Sequence, residues 1–205
     1  MIADDPFRRQ AIERYFDESC RTFGHSHHAV GWYTAQTQEI RFINLALIGD
    51  LDQHSVLDVG CGVGQLLEFF VQHRIEARYT GIDFSSAMIE SAKAHYPSGH
   101  FEQADLLEYP EDVTFDYVLA SGAFSYKVSD QSLYLSTMIQ KMMRLSKKGV
   151  ALNVLSSLTP ADQKDESFFY YCDPAELMRL CLTFSSKVDI KTSYLPNDCT
   201  VYLYK

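Results

Sequence analysis

The 205-residue sequence predicts a single α/β domain on an open, mostly parallel sheet. Three observations carry this expectation. From residue 55 onward, short apolar runs ending on glycine or aspartate alternate with stretches of helical periodicity. A glycine turn, Gly60-Cys61-Gly62-Val63-Gly64, follows directly on the first apolar run, Ser55 to Val59. The chain closes on two alternating runs joined by Pro196-Asn197-Asp198, the pattern of an antiparallel hairpin. With 46% hydrophobic and 13% aromatic residues there is material for one core.

Composition also narrows the partners. A net charge of −9 removes the general attraction to phosphate backbones or anionic lipid, so neither nucleic acid nor membrane is an expected partner. No apolar run approaches the ~20 residues that cross a bilayer. Met1-Ile2-Ala3-Asp4-Asp5 has neither the basic nor the apolar part of a signal peptide, and a cytoplasmic monomer or homodimer is expected. Cys20, Cys61, Cys172, Cys181 and Cys199 are odd in number and form no C-x-x-C pair, so buried thiols are expected rather than disulfides or a metal site.

Residues 1–50 form a polar lead with two expected helices, Pro6 to about Glu18 and Thr34 to Ile48, the second stopped by Gly49. Between them Phe23 to Tyr33 is rich in histidine and aromatic residues. This segment is expected either to fold over a ligand, with Trp32 and Tyr33 as walls and His27 or His28 as a proton acceptor, or to be a solvated surface loop. Its H-x-H-H run lacks the distant ligands of a metal site. Arg41 shares a helix with Ile40, Ile43, Leu47 and Ile48, and its guanidinium suits a carboxylate.

The glycine turn is the expected ligand site, with a helix beginning near Val63 and aiming unpaired amides at what binds. A dinucleotide turn reads G-x-G-x-x-G; here the spacing is Gly60-x-Gly62-x-Gly64 and Gln65 follows. Asp58-Val59-Gly60-Cys61-Gly62-Val63-Gly64 instead resembles the first motif of the class I, Rossmann-like S-adenosylmethionine-dependent methyltransferases. The resemblance implies that Asp58, Gly60, Cys61 and Gly62 cradle the methionine portion of S-adenosylmethionine, with Arg41 reaching its carboxylate.

Next comes a helix over Leu66 to Val71, then a strand, Ala77 to Ile82, that ends on Asp83. An acid at that place accepts both hydroxyls of a ribose. By resemblance Asp83 holds the ribose while Phe84 and Met88 flank the adenine. A third strand from Phe101 closes on Asp105, and the resemblance implies that Asp105 and the Leu106 backbone read the adenine edge. The fourth, Phe115 to Ala120, follows the family's F-D-x-V pattern and opens into Ser121-Gly122-Ala123-Phe124-Ser125-Tyr126. Relatives use the backbone here, Ser121 and Gly122, for the cofactor's amino group. The N/D-P-P-Y motif of DNA-adenine and protein-glutamine methylases is replaced, so those substrates are not expected. Ser125 and Tyr126 are expected at the substrate, with Tyr126 a third candidate base or an aromatic packing residue.

Methionines at helical spacing in Leu133 to Leu145 are expected core filling before a strand from Gly149 to Leu155. A polar insertion, Ser156 to Ser167, leads to Phe168-Phe169-Tyr170-Tyr171, four aromatics that would cap a pocket, and a helix starts at Asp173-Pro174. The hairpin pairs Val188 to Tyr194 with Thr200 to Tyr204. The resemblance covers 51–205 and implies seven strands in the order 3-2-1-4-5-7-6, the last antiparallel, with helices on both faces and the lead 1–50 covering the active site. It implies methyl transfer from S-adenosylmethionine to an oxygen or nitrogen of a small molecule. The alternatives are a non-catalytic S-adenosylmethionine-binding protein, a methyltransferase acting on protein or RNA, or a nicotinamide-dependent oxidoreductase on the same fold.

Overall fold

The computed structural model describes residues 6–205. In chain order it holds α1 (Pro6–Phe23), α2 (Ala35–Ala46), β1 (Ser55–Val59), α3 (Gln65–Gln72), β2 (Arg78–Asp83), α4 (Ser86–His95) and β3 (His100–Gln103). There follow β4 (Phe115–Ser121), α5 (Gln131–Leu145), β5 (Ser146–Leu155), α6 (Pro174–Cys181), β6 (Lys187–Lys191) and β7 (Asp198–Tyr204).

The seven strands lie in the order β3-β2-β1-β4-β5-β7-β6, as expected. β1 pairs in parallel with β2 on one side and β4 on the other, and β7 alone runs antiparallel, from Gly149↔Tyr204 to Leu155↔Asp198 along β5. Strand residues alternate between two cores, as a period of two requires. Leu57, Val59, Val118, Val150 and Leu152 pack with Met138, Ile139 and Met142 of α5 and Leu177 of α6. Val56, Leu119 and Ala151 face the other way, onto Phe42 and Leu45 of α2, Leu66 and Phe70 of α3 and Ile89 of α4. Covered on both faces, the central strands can be apolar throughout. The methionines of α5 fill the core, and all five cysteines are buried thiols.

Several boundaries differ from expectation: β5 already begins at Ser146, α2 ends at Ala46 and β7 begins at Asp198. α3 starts at Gln65, not near Val63, because Gly64 sits at φ +86°, outside the helical region. α1 runs past Glu18 to Phe23. β6 stops at Lys191, since the segment before Pro196 turns the chain toward β7. Among the described residues no helix is long and apolar enough to cross a membrane.

Candidate active site

A cavity of about 490 Å³ opens at the carboxyl ends of β1, β2 and β4, roofed by the lead. Between β1 and β4 the strand order reverses, the place where open α/β sheets bind ligands. The glycine turn forms its floor. Gly62 has φ +52°, and a Cβ there would lie 2.5 Å from Val30 Cγ1, so the lead loop packs directly on the turn. Gly122 at the end of β4 has φ +70°, and its Cβ would lie 2.6 Å from the Trp32 ring.

The turn is tied to β2. The Gly60 and Cys61 N–H groups donate to Ile82 C=O at 2.8 and 3.0 Å, and the Gly62 N–H donates to Asp83 Oδ2 at 3.0 Å. These three amides brace the strand end rather than face a ligand. Ser85 donates its N–H to Asp83 Oδ1 at 2.9 Å and caps α4 with its hydroxyl. Each Asp83 oxygen therefore takes one backbone N–H and keeps a lone pair.

Burial pushes the carboxyl of Asp58 up to about 7, against the lowering effect of the Tyr79 hydroxyl that donates to it at 2.7 Å. Burial likewise pushes Asp83 up to about 6, partly offset by the Ser85 and Gly62 amides. The Cys61 thiol rises well above its ordinary value through burial, then through Asp83 and Asp58, which leaves it un-ionised. For both acids the folded value lies above the unfolded one. The stability they contribute is present below the unfolded value of 3.8 and is lost as pH rises through about 6 to 7. Asp58→Asn is accordingly expected to flatten the fall in melting temperature between pH 4.5 and 7.5. An unchanged slope in calorimetric scans would refute the assignment.

Arg41, Asp58, Gly60, Cys61, Gly62, Asp83, Phe84, Met88, Ser121 and Tyr126 all line this cavity. Four expected residues do not. Asp105 pairs with Arg9 of α1 at 2.7 Å and accepts the Leu107 N–H, and Leu106 is buried in the α5 core. His28 is exposed and its ring lies 4.1 Å from that of His27, and neither histidine lines the cavity. Val30, Trp32 and Tyr33 of that segment reach the cavity instead. Tyr126 does line it, but burial raises its phenol far above the ordinary value, and its ring packs edge-on against Phe16 and Phe168 at 5.4 and 5.1 Å. It is a neutral hydrogen-bond donor, not a base. The four aromatics alternate as an extended segment must: Phe169 and Tyr171 line the cavity, while Tyr170 packs on the core.

Arg41 is buried, its guanidinium 3.8 Å from the Trp32 ring centroid and ion-paired with Asp198 at the head of β7. Sequence reasoning missed Asp198, Phe16 and Val30. Asp198 alone carried a signal: an acid opening an apolar strand needs a cationic partner, and Arg41 is the charge on an otherwise apolar helix face.

Residues 56–149 match a family model described as a methyltransferase domain. A candidate methyltransferase of Mycobacterium tuberculosis, Rv1506c, is 27% identical over 70% of this chain and 87% of its own length. Over these residues the chain is similar to the class I S-adenosylmethionine-dependent methyltransferases. Trans-aconitate 2-methyltransferase of Rhodopseudomonas palustris is 33% identical over 37% of this chain, which spans only 29% of that enzyme. Magnesium protoporphyrin IX methyltransferase of Synechocystis, solved with S-adenosylhomocysteine, shares the fold at a TM-score of 0.69 and 16% identity, over 96% of this chain and 99% of that one.

Proposed function

We propose that this methyltransferase moves the methyl group to an oxygen or nitrogen of a small molecule in the cytoplasm, using the cavity above β1 and β4. The observation that carries the reading is Asp83, fixed by two amides at the cavity wall with a lone pair left on each oxygen. That arrangement fits a ribose diol. Phe84 and Met88 stand beside it for the base, and Asp58 and Ser121 suit the cationic amino end.

Bound S-adenosylmethionine supplies an electrophilic methyl on a cationic sulfonium. The chain's task is to orient an acceptor and keep water out. Above about pH 7 Asp58 and Asp83 are both ionised and make the cofactor side of the cavity negative, which favours a cation there. Trp32, Phe169 and Tyr171 add apolar surface to the cavity, suiting a small acceptor. Two relatives named for small acceptors, trans-aconitate and magnesium protoporphyrin IX, support the same class.

Parallel calorimetric titration with S-adenosylmethionine, S-adenosylhomocysteine and NADH tests the cofactor site. Binding of the two sulfur nucleotides alone is expected, followed by a mass-spectrometric screen for methylated metabolites. NADH binding alone would overturn the reading. At the base end Asp105 must release Arg9 to serve adenine. Their pair is partly exposed and contributes at most ~1 kcal/mol. Arg9→Gln is therefore expected to tighten S-adenosylhomocysteine binding by up to ~5-fold, and weaker binding would remove Asp105 from the adenine site.

A further inference from the structure

We propose that the acceptor side of the cavity takes a small carboxylate, recognised by Arg41; the proposal rests on the methyltransferase reading above. Position comes first. Asp198 leads β7, which pairs with β5, and Asn153 of β5 donates to the Arg41 carbonyl at 3.5 Å. In the order β1-β4-β5-β7 this puts the guanidinium beyond β4 from the cofactor turn. That is the acceptor's side of the cavity.

Two donors among the residues lining the cavity lack acceptors. Asp198 takes Nη2, while Nε of Arg41 is buried with no acceptor among the described residues. The Ser125 hydroxyl accepts the Leu155 N–H at 3.2 Å, and its own proton finds no partner among the described residues. Tyr126, next in the chain, also lines the cavity and keeps its phenol proton. A planar guanidinium and hydroxyl donors lining one cavity suit the lone pairs of a carboxylate.

Proton accounting points the same way. A phenol or an alkylamine, ionising near pH 10, must lose a proton before it can attack. Tyr126 is itself neutral, His27 and His28 lie outside the cavity, and Asp165 is held below the usual carboxylate range by Ser167. Asp58 and Asp83 are engaged on the cofactor side by Tyr79 and by the Gly62 and Ser85 amides. A carboxylate arrives ionised. One of its oxygens bonds to the methyl carbon as the carbon–sulfur bond breaks, the bonding pair stays on sulfur, and no proton moves; the products are an ester and a neutral thioether.

Trp32 is the one tryptophan of the sequence, and it lies on the Arg41 guanidinium, so its fluorescence reports the site. Protein saturated with S-adenosylhomocysteine is titrated with benzoate, cinnamate and glutarate, and with benzamide, cinnamamide and glutaramide, by fluorescence and calorimetry. At least one acid is expected to bind ten-fold or more tightly than its amide. Arg41→Gln/Asp198→Asn removes both charges together, so no lone charge is left buried. In it the acid preference should fall below three-fold while S-adenosylhomocysteine affinity changes less than three-fold. Should that variant fail to fold, Ser125→Ala replaces it and is expected to weaken the preferred acid at least three-fold. Equal binding of acids and amides, or an acid preference that survives these substitutions, would overturn the proposal. So would a ten-fold loss of S-adenosylhomocysteine in the double variant with its decarboxylated analogue unaffected, which would assign Arg41 to the cofactor's own carboxylate. Failure of the wild type to bind S-adenosylhomocysteine at all would instead bring down the methyltransferase reading on which the proposal stands.

Discussion

Asp83→Ala is expected to weaken S-adenosylmethionine binding about a hundred-fold while the protein stays folded. Two hydroxyl-to-carboxylate hydrogen bonds would be lost at once, and bonds to a charged group contribute about 1.5–3 kcal/mol each. The substitution also removes the acceptor for the Gly62 and Ser85 amides, so the turn and the start of α4 lose their common anchor. Asp83→Asn should fall between wild type and alanine, because the amide keeps one acceptor oxygen but sets its NH2 against a backbone N–H. Calorimetry at pH 7.5 separates the three proteins, with melting temperature as the control for folding. An affinity within three-fold of wild type for Asp83→Ala would remove the ribose from this carboxylate.

Asp83 was legible in the sequence because its role is local: a strand, an acid at its end and a capping serine lie within a few residues, and the glycine turn it serves is one crossover away. The same locality made the sheet readable. Strand-end acids, turn glycines and the terminal hairpin each follow from short-range patterns, and the parallel order follows once they are aligned. What the sequence did not disclose depends on how the lead docks. Asp105 carries the same strand-end signal as Asp83, yet Arg9 reaches it from α1, 96 positions away along the chain. His27 and His28 drew attention by composition, whereas backbone bonds such as Trp32 N–H to His27 C=O turn Val30 and Trp32 to the cavity instead. Helix α3 began later than periodicity suggests because the positive φ of Gly64 is a backbone property that an apolar pattern does not encode.

The Arg41–Asp198 pair spans 157 positions and supports a second large effect. Both side chains are almost fully buried, at 3% and 1% exposure, so neither charge has water to fall back on. Asp198→Ala leaves the guanidinium unpaired between Trp32 and the end of β5, and a buried charge stripped of its partner costs about 3–5 kcal/mol. For a chain of this size each kcal/mol lowers the melting temperature by roughly 2–4 °C, so a fall of about 10 °C or more is expected. Salt should change that difference little, since a buried pair is poorly screened. Replacing both partners with apolar residues of similar size, as in Arg41→Met/Asp198→Leu, should be less harmful than the single change, because desolvation of the two ions opposes their attraction in the wild type. The discriminating result is therefore the order of melting temperatures: wild type and the double variant close together, and Asp198→Ala well below both. A single variant that melts within 2 °C of wild type would show that the guanidinium finds another partner, and that β7 does not depend on α2 for its first charge.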